Sequence, residues 1–169
     1  MMKSTERNAL LWLKNEIANI PNFISRDEIN ESITLKGKKH PPLCQIVLFE
    51  YGASVGNKEG YWDKYPIVII VRPLEDHFFG FNIHYLNDEI RKKIISVITV
   101  LNKKASGNVS SAFRMIYPFL DGLVKMKVFN SAYKNYNYSN LKSKFVIIHP
   151  DHYHLVSNLP IATLKENPS

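Results

Sequence analysis

Residues 66–86 read Pro66-Ile67-Val68-Ile69-Ile70-Val71-Arg72-Pro73-Leu74-Glu75-Asp76-His77-Phe78-Phe79-Gly80-Phe81-Asn82-Ile83-His84-Tyr85-Leu86: two apolar runs around a short polar turn. The first run, Pro66 to Arg72, is rich in β-branched residues and reads as a strand, with Pro66 tolerated only at a strand start or an edge. In the second, Phe78 to Leu86, Phe79, Phe81, Ile83 and Tyr85 alternate with Gly80, Asn82, His84 and Leu86. That alternation gives one aromatic face and one small or polar face. A third run upstream, Cys44 to Tyr51, is set off by the Gly/Asn-containing stretch 52–64, so an antiparallel meander is expected.

Outward from this sheet the period changes. Asn87 caps a helix with Asp88 and Glu89 in its first turn, Ile90, Ile94, Val97, Ile98 and Leu101 on its buried side, and Lys103 and Lys104 at its negative end; Gly107 stops it. Ser110 to Tyr117 and Phe119 to about Tyr133 read as further helices broken at Pro118. A last strand is expected from Lys144 to His149, pairing with Tyr153 to Val156. Before the sheet, Ser4 caps a helix over about 5–19, and the capping box Ser25-Arg26-Asp27-Glu28 opens a second, a hairpin of the kind winged-helix domains use. The expected fold is α+β: a small antiparallel sheet, with an SH3-like barrel as one way of curling it, a helical N-terminus over 1–35, and an α+β domain over 43–165 with a helical insertion before the last strand.

The chain has 169 residues, enough for one domain to bury a sizeable core unaided. Cys44, in an apolar run, is its one cysteine, so no internal disulfide can form, which suits a reducing compartment. The first residues lack a signal-peptide pattern, and no apolar run approaches the roughly 20 residues that cross a bilayer. A soluble, cytoplasmic protein without a membrane partner is expected.

Charge is unevenly spread. The net formal charge is +7, yet residues 1–86 hold ten cations and ten acids, against twelve and five in 87–169. Between Arg91 and Lys144 there are eleven cations and one acid, Asp121, the asymmetry of a surface that meets a polyanion. Within it, Tyr133-Lys134-Asn135-Tyr136-Asn137-Tyr138-Ser139-Asn140-Leu141-Lys142-Ser143-Lys144 mixes tyrosines with cations and amides. Cations hold phosphates and tyrosine rings stack on bases; the competing reading packs these rings on the core. The candidate nucleic-acid contacts are Lys125, Lys127, Tyr133, Lys134, Tyr136, Tyr138, Lys142 and Lys144, extended by Arg91, Lys92 and Lys93 if those face the same way.

Catalytic signals are weak. His149-Pro150-Asp151-His152-Tyr153-His154 is dense in ligand types, but its spacing matches no zinc pattern, and a turn with exposed histidines is the simpler reading. His84 lacks an accompanying nucleophile motif, and Glu50, Asp63, Glu75 and Asp76 have no recognisable spacing for magnesium. No catalytic residue, metal site or cofactor is therefore assigned, and a metal-dependent nuclease is the least favoured reading.

Several segments together resemble small proteins of large contractile-tailed bacteriophages, the DNA end protector type among them. They are Tyr61-x-Asp63-x-x-Pro66, then Phe79-Gly80-Phe81-Asn82-x-His84-Tyr85-Leu86, then Arg91, and Ala132-Tyr133-Lys134-x-Tyr136-x-Tyr138-Ser139-x-Leu141-Lys142-Ser143-Lys144-Phe145 with Leu159-Pro160. The resemblance covers about residues 61–160, and departs where Asn87-Asp88 stands in place of a Pro-Pro pair. It implies a DNA-associated protein acting in the infected host or carried in the virion, with DNA as partner, or an assembly protein that contacts phage structural subunits. Gly80, Asn82 and His84 are expected to hold the fold, and the cations and tyrosines of 125–144 to bind.

Overall fold

The computed structural model describes residues 41–52, 65–143 and 145–158. The expected N-terminal helices, Asp63 and Lys144 lie outside the described residues. Five strands form one antiparallel sheet in the order β4-β3-β2-β1-β5: β1 Ile46–Leu48, β2 Ile67–Pro73, β3 His77–Asn82, β4 Tyr133–Asn137 and β5 Val146–Ile147. Among the described residues the sheet is open, with β4 and β5 at its edges, and does not close into an SH3-like barrel.

The β2–β3 hairpin is the centre of the fold. Ile69 pairs with Phe81 and Ile70 with Gly80, then a bulge shifts the register so that Arg72 meets Phe79. Gly80 is required by close packing, because a Cβ there would lie 2.3 Å from Val68 Cγ1 and 2.6 Å from the Ile69 carbonyl oxygen. The strand stops at Asn82 rather than running to Leu86. Asn82 Oδ1 accepts a hydrogen bond from the His84 backbone N–H (3.0 Å), turning Ile83–Tyr85 into a 3-10 turn.

Helix α1, Asp88–Lys104, is capped by Asn87, whose Oδ1 accepts from the Ile90 N–H at 2.9 Å. It buries Ile94, Ile95 and Ile98 against the sheet, whereas Val97, expected inside, is exposed. Helix α2, Val109–Val124, runs through Pro118 instead of breaking there. Pro118 lies on an exposed stretch with Arg114, so the carbonyl it leaves unpaired can face water. The helix also ends at Val124, and the chain passes through a 3-10 turn, Lys127–Phe129, into β4. Residues expected to extend the last strand instead form helix α3, Tyr153–Ser157, packed against α1.

One sheet face packs on the helices through Ile46, Leu48, Ile67, Ile69, Val71 and Phe81. The other gathers Val47, Phe49, Val68, Ile70, Phe78, Tyr136, Phe145 and Ile147. Apolar residues at successive positions of β1 and β2 are therefore buried on both faces. The strap from Tyr138 to Phe145 joins the two sheet edges, a separation of about 19 Å at ordinary strand spacing. It must cross a face, and Tyr138, Leu141 and Phe145 place it over the second one. It is held there by Lys142 N–H donating to the Glu50 carbonyl (2.8 Å), Gly52 N–H to the Asn140 carbonyl (2.9 Å) and Glu50 N–H to Ser143 Oγ (2.8 Å).

Candidate nucleic-acid interface

The tyrosine-rich segment is an edge strand followed by the strap, and its rings turn inward. Tyr136 is buried: its ring stacks on Phe78 at 5.3 Å and meets Phe49 edge-on, while its hydroxyl accepts from Asn82 Nδ2 at 2.9 Å. Tyr133 lies 5.4 Å from Phe79 in a near-parallel stack, and burial raises its pKa. Tyr138 stacks on Phe78 and donates its hydroxyl to the Leu74 carbonyl at 2.9 Å; burial and then Asp76 raise its pKa. A sheet with two buried faces has room for these rings inside, and each ring gains more from desolvated aromatic contact than from water. Tyr136 is thus a core residue, where binding had been expected of it, and Tyr133 and Tyr138 are half-buried by the same packing.

Arg91 is also buried. Its side chain is 1% exposed; Nε donates to the Ser157 carbonyl at 3.1 Å and Nη2 meets Asp88 Oδ1 at 3.0 Å. It ties α1 to α3, and burial lowers its pKa against the opposing pull of Asp88. Helical spacing explains this, because Arg91 lies three and four residues before the buried Ile94 and Ile95.

Most of the other described cations are exposed. Lys92, Lys93, Lys103 and Lys104 project from α1, with Lys93 3.1 Å from Glu89; Arg114 and Lys125 project from α2, with Lys125 3.3 Å from Asp121; Lys127 follows on the 3-10 turn. Exposed pairs of this kind leave a lysine free to exchange an acid for a phosphate at small cost. Lys134 is half-buried with Nζ 4.0 Å above the Tyr85 ring. Lys142 is exposed on the strap, its stem lying against Gly52, where a Cβ would meet Lys142 Cε at 2.3 Å. The expected contacts therefore divide between the helical layer, with Lys92, Lys93, Lys125 and Lys127, and the strap on the opposite face, with Lys142.

The histidine segment winds into a 3-10 turn and α3 instead of extending. His149 Nδ1 accepts from the Asp151 N–H, and the His149–His152 and His152–His154 ring centroids stand 6.1 and 6.2 Å apart. Among the described residues no three His, Cys, Asp or Glu side chains converge on a metal position. His84 is fully buried, and burial pushes the Cys44 thiol up to about 12, which makes it a poor nucleophile.

Comparison with known families decides the relationship. A family described as phage T4 terminal DNA protecting protein matches residues 15–168. The chain belongs to this family. No curated protein and no solved structure matches it. In this family member, the residues that carried the phage resemblance have structural work: Gly80 admits β2, Asn82 joins the 3-10 turn to Tyr136, Arg91 joins α1 to α3, and the strap closes the second face. Where the Pro-Pro pair is replaced, Asn87 caps α1 with Asp88 in its first turn. No helix among the described residues is long and apolar enough to cross a membrane.

Proposed function

We propose that this family member binds phage DNA at or near genome ends, chiefly through phosphates and with little sequence preference, and leaves the DNA chemically intact. The observation that carries this reading is the family match over residues 15–168. Exposed lysines at 92, 93, 103, 104, 125, 127 and 142, with Arg114, supply the phosphate-seeking charge. Lys134 contributes from the β4 edge, and Lys144, outside the described residues, belongs to the same proposal. Tyr133 and Tyr138 contribute by holding this edge in shape.

A salt series of binding to labelled duplex DNA tests it. Each phosphate contact removed lowers the slope of log affinity against log salt by about 0.9. Lys103→Gln with Lys104→Gln therefore flattens the slope by about 2 if both contact phosphates, equally for unrelated sequences. Absence of binding at about 150 mM salt overturns the reading. A second reading, docking onto a phage structural subunit in the virion, draws on Met126 and Val128, which stay 49% and 63% exposed beside Lys125 and Lys127. Co-purification with a virion part, without DNA affinity, would select it.

A further inference from the structure

A cavity of about 490 Å³ opens between the end of α1, the start of α2, the chain entering β1 and the chain leaving β5. That volume falls in the ordinary range for small-molecule sites. Its wall is apolar, formed by Leu43, Ala112, Ile116 and Ile147, with the partly exposed Phe113 ring beside them. Its polar lining carries three amides together with Lys103, His149 and the carboxylate of Asp151. Asn102 Nδ2 donates to the Ile98 carbonyl at 3.0 Å, which leaves its Oδ1 to accept; Asn108 Oδ1 accepts from the Ser111 N–H at 3.0 Å, which leaves its Nδ2 to donate. Gln45 is the third amide.

An apolar slot with an aromatic wall, amide donors and acceptors at its edge and a cation at its mouth has the chemistry of a nucleotide. The flat base takes the apolar wall, its polar edge pairs with amides that can both donate and accept, and the phosphate meets the lysine. We propose that this cavity holds one unstacked nucleotide at a DNA strand terminus, with the base against Phe113, its edge at Asn102, Asn108 and Gln45, and its phosphate at Lys103. The choice of a strand terminus rests on the function proposed above. The slot itself rests on the geometry. An internal nucleotide carries chain on both sides, so a terminal one reaches the slot at the smaller cost in unstacking.

The test uses the full chain. Deoxyadenosine monophosphate is titrated calorimetrically against the parent and against Ala112→Phe, which fills the slot, with melting curves to verify folding. The same proteins are titrated with open-ended duplex and with duplex closed by hairpins at both ends. The expected result is mononucleotide binding by the parent only, and an open-end preference of about tenfold or more that Ala112→Phe abolishes. Should Ala112→Phe fail to fold, Asn102→Leu on the rim makes the same comparison. Equal affinity for open and closed DNA, unchanged by either variant and without mononucleotide binding, overturns the inference while leaving phosphate-directed DNA binding in place. Mononucleotide binding without affinity for either DNA overturns the strand terminus and the proposed function together, and assigns the slot to free nucleotides.

Discussion

Replacing Tyr136 by phenylalanine separates a ring that holds the fold from a ring that holds DNA. The substitution keeps the aromatic contacts to Phe78, Phe49 and Tyr51 and removes only the hydroxyl. That hydroxyl accepts from Asn82 Nδ2, and Asn82 is 0% exposed. The amide then keeps a buried N–H with no acceptor in place of the hydroxyl, which costs about 1–3 kcal/mol. For a domain of this length each kcal/mol moves the melting temperature by roughly 2–4 °C. The expected loss is therefore roughly 2–12 °C, read by thermal denaturation, with DNA affinity at a temperature where both proteins are folded equal to the parent's. Asn82→Ala probes the same contact from its other side, and the double variant should be less destabilised than the sum of the singles. A melting temperature equal to the parent's would refute the buried hydrogen bond. Weakened DNA binding with an unchanged melt would return Tyr136 to the binding surface.

Two further perturbations probe the β2–β3 hairpin and the histidine segment. Gly80→Ala forces a methyl against Val68 Cγ1 and the Ile69 carbonyl oxygen, and because the backbone oxygen cannot swing away the cost should be about 1–3 kcal/mol; unchanged stability in a denaturant titration would show that the hairpin does not pack so closely. His152 is held below its ordinary value of 6.5 by partial burial, then by His149 and His154. The unfolded chain therefore binds this proton at higher pH than the folded one, so the stability His152 contributes is present above about pH 6.5 and is lost as pH falls from there through the lower folded value. His152→Gln should flatten that part of the melting profile; an identical acid-side slope in both proteins would remove His152 as its source.

Some of this protein could be read locally. The β2–β3 hairpin follows from a β-branched run, an acidic turn and an alternating aromatic run, and α1 follows from Asn87, the acids behind it and an isoleucine stripe. Each of these signals is complete within its own segment, since caps, turns and periodicity depend on neighbours in sequence. The excess of cations after residue 87, and the phage resemblance, were legible for the same reason.

What failed locally was settled by partners distant in sequence. Tyr133–Asn137 looks polar because half of an edge strand is solvated, and it becomes a strand only because β3 offers a free edge. Pro118 is tolerated because the helix face it interrupts is outside. Arg91 reads as a surface cation until Ser157, 66 residues away, supplies its acceptor. The tyrosines read as base-stacking rings until Phe78, Phe79 and Asn82 claim them. The cavity has no sequence signature, because its wall joins residues from the chain entering β1, from α1 and α2, and from β5 and the turn after it. The sequence by itself determined which segments would be regular and where the positive charge would fall, since both are sums over neighbouring residues. Only the tertiary structure decided which aromatic and cationic side chains face solvent, because burial depends on contacts between segments far apart in the chain.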